Sequence, residues 1–113
     1  DLPGLIKARK RICLVGLTNF SVKAEQTFAQ WIDRAWDAEH GGFFAQLDRS
    51  WRPVNRIKRA GHLLHAIEAA AALTVVTGKA AYQRFLDRLV DTLLDRFVDP
   101  RLNCLHEHFT ADW

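Results

Sequence analysis

The chain has 113 residues, of which 49% are hydrophobic and 26% charged. That balance fits one globular domain with a modest core and excludes a disordered chain. The formal net charge is +3, and part of the excess sits in Lys7, Arg9, Lys10 and Arg11 and in Arg52, Arg56, Lys58 and Arg59; with no recognition motif among them, these clusters read as solvated helix faces and ends, and no nucleic-acid partner is expected.

In chain order, Leu5 to Leu17 carries Leu5, Ile6, Cys13, Leu14 and Leu17 at helix-compatible positions, and "TNFS" at Thr18 to Ser21 breaks the pattern. Val22 to Trp36 places Phe28, Trp31, Ile32, Ala35 and Trp36 at helical spacing. Gly41-Gly42 signals a turn, and Phe43 to Leu47 is expected as a short strand. Ala60 to Val76 is the most alanine-rich stretch; it is predicted as a helix with Leu64, Ile67, Ala71 and Val75 on its packed face, ended by Thr77-Gly78. A further helix is predicted over Tyr82 to Val98, and Pro100 forbids its continuation.

Two segments align without a gap. "WIDRAWDAEHGGFFAQLDRSW" (Trp31 to Trp51) sets Asp33-Arg34 on Asp95-Arg96, Asp37 on Asp99, Leu47 on Phe109 and Trp51 on Trp113 of "LLDRFVDPRLNCLHEHFTADW". The offset from Trp51 to Trp113 is 62 positions. A fixed period of this kind marks a repeat architecture. The unit is two helices followed by a hairpin-like loop that ends in tryptophan. Two units are expected, about 1–51 and 52–113, in a single domain. Such helix pairs bury their apolar faces only by stacking on neighbours, so a homo-oligomer that covers the open faces is one assembly the pattern admits.

Four groups carry candidate chemistry. His65 and Glu68, three apart on one helix, pair an imidazole with a carboxylate that fixes its tautomer and suits general acid/base work; a packed, satisfied histidine is the plainer alternative. His106 and His108 would share one strand face, with Glu107 on the other, but no further Asp or Cys completes a ligand set with them, so no metal is expected. Phe43, Phe44, Trp51, Phe109 and Trp113 enrich the two loops; the tryptophans are expected in the core and some of the phenylalanines at a rim where a sugar ring would stack. "KARKR" (Lys7 to Arg11) offers an arginine to an oxyanion or sugar hydroxyl, against the simpler reading of a basic outer face.

The two cysteines, Cys13 and Cys104, fit no metal spacing and no CxxC pattern, and are expected as buried thiols in a reducing, cytoplasmic compartment. No run of about eighteen apolar residues is evident, so no membrane partner is expected. The start "DLPGLIKARKR" has no apolar signal-peptide core, and a chain without any Met is expected to be an excerpt or a mature fragment.

"HAIEAAAAL" (His65 to Leu73), the helix end "DRFVDP" (Asp95 to Pro100) and "LHEHFTADW" (Leu105 to Trp113) together resemble the N-acylglucosamine 2-epimerase superfamily, and "WDAEHGGFFAQLDRSWRPV" (Trp36 to Val54) is similar to its recurrent Gly-Gly-Phe loop. The branches it looks most like are the mannose isomerases and the cellobiose 2-epimerases. The resemblance covers most of residues 28–113. It implies an all-α, α/α-toroid fold of helical-hairpin repeats, here a partial (α/α)6 barrel with short hairpin loops. It also implies proton transfer at the carbon beside a sugar carbonyl, through an enediol-type intermediate, on a monosaccharide or disaccharide and with no cofactor. His65 then matches a family acid/base histidine and Glu68 its helix partner. Arg9 or, as a rival, Arg11 matches the substrate-binding arginine. Glu107 matches the closing loop, as a substrate contact or as part of its framework.

The sequence departs from the family at Gly61, where an asparagine is usual, and at Leu5, where an aromatic is common. The interval from Arg9 to His65 is about one helical unit short, and the second family histidine has no match in the chain. The expectation is a fragment of a sugar isomerase or epimerase with little or no turnover by itself. The alternative is a non-catalytic helical-repeat module that binds a protein partner. A glycoside hydrolase would need a carboxylate pair flanking the bond, and Asp37 and Asp99, at equivalent loop starts, are better suited to capping.

Overall fold

The computed structural model describes residues 22–113; the expected first helix, with Arg9, Arg11 and Cys13, lies outside them. Three α-helices and three two-stranded antiparallel ladders make up the described residues. Helix α1 (22–35) leads into a loop carrying β1 (Gln46–Leu47) and β2 (Pro53–Asn55), which pair with each other. Strand β3 (Lys58–Arg59) runs directly into α2 (Ala60–Thr77). Helix α3 (Ala80–Thr92) continues through a π-helical turn (Leu93–Phe97) into β4 (Val98–Asp99), β5 (Cys104–Leu105) and β6 (His108–Phe109). Strand β4 pairs with β5, and β6 returns to pair with β3. The architecture is mainly helical, as the sequence predicts.

Gly78 ends α2. Its φ is 66°, and its N–H donates to the carbonyl of Thr74 at 3.0 Å. That left-handed turn is open to glycine at little cost. With only Gly78 and Lys79 between them, α2 and α3 fold back as a helical hairpin. Helix α1 packs on α3 through aromatic edges: the Phe28 ring lies 6.0 Å from Tyr82 and 5.8 Å from Phe85, and Trp36 lies 5.9 Å from Phe85.

The buried face of α2 differs from the predicted one. Leu63, Ala66, Ala70 and Leu73 are buried, whereas Leu64, Ile67 and Ala71 are half-buried and Val75 is 85% exposed. The stretch is apolar around most of its circumference, so periodicity does not choose a side; contact with α3 does. The same helix, at 18 residues, is long and apolar enough to cross a membrane by length and composition alone. One side of it, through Leu63, Ala66, Ala70 and Leu73, joins the core, and the helix carries His62, His65 and Glu68.

The same loop is built twice, 62 positions apart. Trp36 bridges Phe43 as Val98 pairs with Leu105. The Phe44 N–H donates to Ala35 O at 3.0 Å as that of His106 donates to Phe97 O at 2.8 Å. Asp37 Oδ1 accepts from the N–H groups of Glu39 and His40, and Asp99 Oδ1 from those of Arg101 and Leu102. Gly41 (φ 77°) stands where Asn103 (φ 50°) stands, and Trp51 (φ 63°) where Trp113 (φ 66°) stands. A tryptophan in the left-handed region is unusual, and here it occurs at both equivalent turns, each closed by a 3.0 Å bond, to Asp48 O and Thr110 O. The copies differ at the helix end. Helix α1 closes with an α-type bond, Trp36 N–H to Ile32 O, while the Val98 N–H reaches Leu93 O across a π-turn.

A buried ion pair joins the two halves. Lys58 is 1% exposed and Asp37 5%. The Lys58 ammonium donates to Asp37 Oδ2 and to Gly41 O, each at 2.6 Å. Its charge also lies over the rings of Phe44 (5.1 Å) and Trp113 (5.7 Å). The Trp113 indole N–H donates to His40 O at 2.7 Å, so the second loop covers the first. Gly42 permits this approach: a Cβ there would sit 2.9 Å from Trp113 and 3.2 Å from Lys58, and its φ of 78° also disfavours any side chain.

Burial pushes the Asp37 carboxyl up, but the Lys58 hydrogen bond and the N–H groups of His40 and Glu39 outweigh it and hold the carboxyl below its ordinary value. Its contribution to folding is therefore complete above the ordinary carboxylate range, near pH 4, and is lost as pH falls through the lowered value. In urea unfolding at pH 7, Lys58→Met is expected to destabilise by about 3–5 kcal/mol, because it strands a buried carboxylate; adding Asp37→Leu should recover most of the loss. Asp37→Asn should flatten the acid limb of the stability curve relative to the unsubstituted chain.

Candidate active site

The first turns of α2 carry the candidate site. Its N-terminal end is held from two sides: β3 pairs with β6, and the Ala60 N–H donates to the carbonyl of Glu107 at 2.9 Å. His62 and His65 follow on the first two turns, and Glu68 one turn later. His65 Nδ1 lies 3.2 Å from Glu68 Oε2, the contact that the i,i+3 spacing predicts. With the proton on Nδ1 donated to that carboxylate, Nε2 keeps the lone pair that takes up a proton. Both side chains are open to water, 79% and 76% exposed, which leaves the ion pair weak and screened.

His62 is half-buried on the same helix. Burial lowers its pKa, and the positive charges of Arg59 and His65 lower it further. The N-terminal part of α2 thus combines a histidine biased to the neutral form with a histidine beside a carboxylate.

The remaining predicted residues fall elsewhere. Glu107 reaches α2 through its backbone carbonyl, while its side chain is exposed. His106 precedes β6 rather than sharing a strand face with His108; its Nε2 is 3.8 Å from Asp99 Oδ2 and its ring meets Phe109 edge-on. Among the described residues no three His, Cys, Asp or Glu side chains gather as a metal set. Cys104 is exposed on β5 rather than buried, because nothing described covers the second loop as Trp113 covers the first.

The loop aromatics also depart from expectation. Phe43 is buried and stacked on Trp31 at 4.5 Å, with only 7° between the planes. Trp113 and Phe109 pack around Phe97, while Trp51 is 40% exposed. The tryptophan expected in the core of the first loop is therefore at the surface, and the phenylalanine beside the glycines is inside. Asp37 and Lys58 were not singled out by sequence as a pair. They lie 21 positions apart, and a lysine in a basic run reads as solvated until a partner is placed beside it.

The profile of the N-acylglucosamine 2-epimerase (GlcNAc 2-epimerase) family matches residues 15–113, and the chain belongs to that family. A D-mannose isomerase from Pseudomonas cannabina pv. alisalensis is 29% identical over 77 residues, which is 68% of this chain and 18% of that protein. The crystal structure of a D-mannose isomerase superposes with a TM-score of 0.79 over 84% of this chain and 25% of its own, at 17% identity, a likeness of fold. The cellobiose 2-epimerase of Spirochaeta thermophila superposes with a TM-score of 0.65 over 73% of this chain and 21% of its own, at 31% identity. The chain thus spans about a quarter or less of the relatives it matches.

In an NMR pH titration, His62 is expected to lose its proton at lower pH than a free histidine. Since the unfolded chain binds that proton more readily, the His62 contribution to folding is complete above about pH 6.5 and declines as pH falls through that range. His62→Gln should remove this dependence.

Proposed function

We propose that this chain is part of a sugar isomerase or 2-epimerase, in which His65 acts as a general acid/base at the carbon beside the sugar carbonyl. The observation that carries the proposal is the His65–Glu68 pair at 3.2 Å on a helix of a family member. Proton abstraction beside a carbonyl needs a base with its lone pair free and correctly oriented. Glu68 supplies the orientation by accepting from Nδ1 and stabilises the imidazolium that forms. The enediolate that results needs a cationic or hydrogen-bonding partner, a role we assign to Arg9 or Arg11, with Glu107 as a further substrate contact. Mannose- and cellobiose-type sugars are the substrate class proposed, from the activities named for the relatives.

The same proposal divides the domain into two helix-pair units, about 1–51 and 52–113, of a partial (α/α)6 barrel. The twin loops support this division. Enolisation of a sugar by two groups requires both within hydrogen-bond reach of one carbon. With His65 in open solvent and no second family histidine in the chain, the 113 residues by themselves are proposed to turn over little or no substrate.

Exchange of the sugar C2 proton into deuterium oxide, followed by NMR, tests this. The chain with mannose should show no exchange above buffer. A chimera in which the chain replaces the matching segment of the cellobiose 2-epimerase should exchange the C2 proton of its disaccharide. His65→Ala should slow that exchange by about a hundredfold or more, the usual contribution of general acid/base catalysis, and Glu68→Gln by a smaller factor. A folded chimera whose exchange is indifferent to His65→Ala would remove His65 from the mechanism.

A further inference from the structure

Helix α2 starts without a cap of its own. Arg59 stands at its N-cap position and makes no side-chain cap bond, and no acidic residue lies in the first turn. The local devices that usually fix a helix start are therefore missing. What fixes this start comes from distant parts of the chain. The Ala60 N–H donates to Glu107 O at 2.9 Å, and β3 pairs with β6. Lys58, in the strand that runs directly into the helix, donates to Asp37 Oδ2 and to Gly41 O at 2.6 Å each. The core face of α2 adds Leu63, Ala66, Ala70 and Leu73. Apolar contact is non-directional, and the alanines on that face have little shape with which to fix a rotation.

We propose that Lys58 and Asp37 are positioning residues for the reaction proposed above: their buried pair sets the direction of the first turns of α2, and so the place of His65. The proposal rests on the reading of His65 as the acid/base. The lever is short. From Ala60 to His65 the helix rises about 7.5 Å, so a tilt of about 10° at its start moves the imidazole by roughly 1 Å. A misplacement of that size in a reacting group can cost about a hundredfold in rate. An apolar pair of similar volume would fill the same space and keep the fold. It would not hold the direction, because methyl groups accept many arrangements, whereas the ammonium is satisfied only with both its oxygen acceptors in place.

The double variant Lys58→Met/Asp37→Leu separates positioning from stability, since it keeps most of the stability and loses the charge pair. In the full chain, followed by amide hydrogen exchange, its Ala60 N–H should exchange roughly tenfold faster than in the unsubstituted chain, about what one lost hydrogen bond is worth. The amides of α3 should keep their rates. In the chimera with the cellobiose 2-epimerase, the same double variant should lower kcat for C2 exchange by about ten- to a hundredfold and leave KM within about twofold. Unchanged protection of Ala60, an unchanged kcat, or a loss carried by KM would overturn the proposal. So would an equal loss of protection across α2 and α3, which would mean that the pair serves stability alone. If His65→Ala leaves the chimera's exchange unchanged, the reading of His65 falls and this proposal with it. If exchange depends on His65 but not on the pair, this proposal falls alone.

Discussion

A lysine ammonium with almost no contact with water holds the described residues together. Lys58 is 1% exposed, and its charge is answered by a carboxylate, a carbonyl and two aromatic faces. Desolvating both ions costs several kcal/mol each, so the pair is not a source of net stability in the way a packed leucine is. Its consequence is geometric. Only one arrangement of the loop after α1 and the strand before α2 satisfies the ammonium, and any other strands a charge. The pair therefore fixes how the two halves meet.

That fixed joint is transmitted to the candidate site by covalent continuity. Lys58 and Arg59 form β3, and α2 begins at the next residue. Pairing of β3 with β6 and the bond from the Ala60 N–H to Glu107 O set the direction in which α2 leaves the joint. His65 lies in the second turn of α2. Glu107 belongs to this support through its main chain, whatever its side chain does. Gly42 belongs to it too, by letting Trp113 close over the ion pair. Functional side chains are held by such second layers of contact, and for the candidate site that layer lies largely in the loops.

Much was legible in the sequence because it depends on local chemistry. The helices over 22–35 and Ala60–Thr77, the stop at Gly78 and the 3.2 Å contact of His65 with Glu68 all follow from residue type and spacing within a few turns. The offset of 62 was legible for the same reason: the same local instructions, an aspartate accepting two N–H groups and a turn closed before a tryptophan, were written twice. Family membership rests on the same local motifs.

What only tertiary structure decided are the questions in which two distant segments compete for one environment. The alanine-rich α2 is apolar almost all round, so its sequence could not name Leu63, Ala66, Ala70 and Leu73 over Leu64, Ile67, Ala71 and Val75; contact with α3 did. Trp51 and Trp113 occupy equivalent turns, yet Trp51 lies open at the surface while Trp113 packs against Phe97, because Gly42 and Phe97 lie beside only the second. Lys58 and Asp37, 21 positions apart, look like surface charges until the fold removes the water between them. The sequence by itself determined the elements and the repeat, since these depend on neighbours along the chain. Burial and charge pairing depend on neighbours in space, and those the tertiary structure supplied.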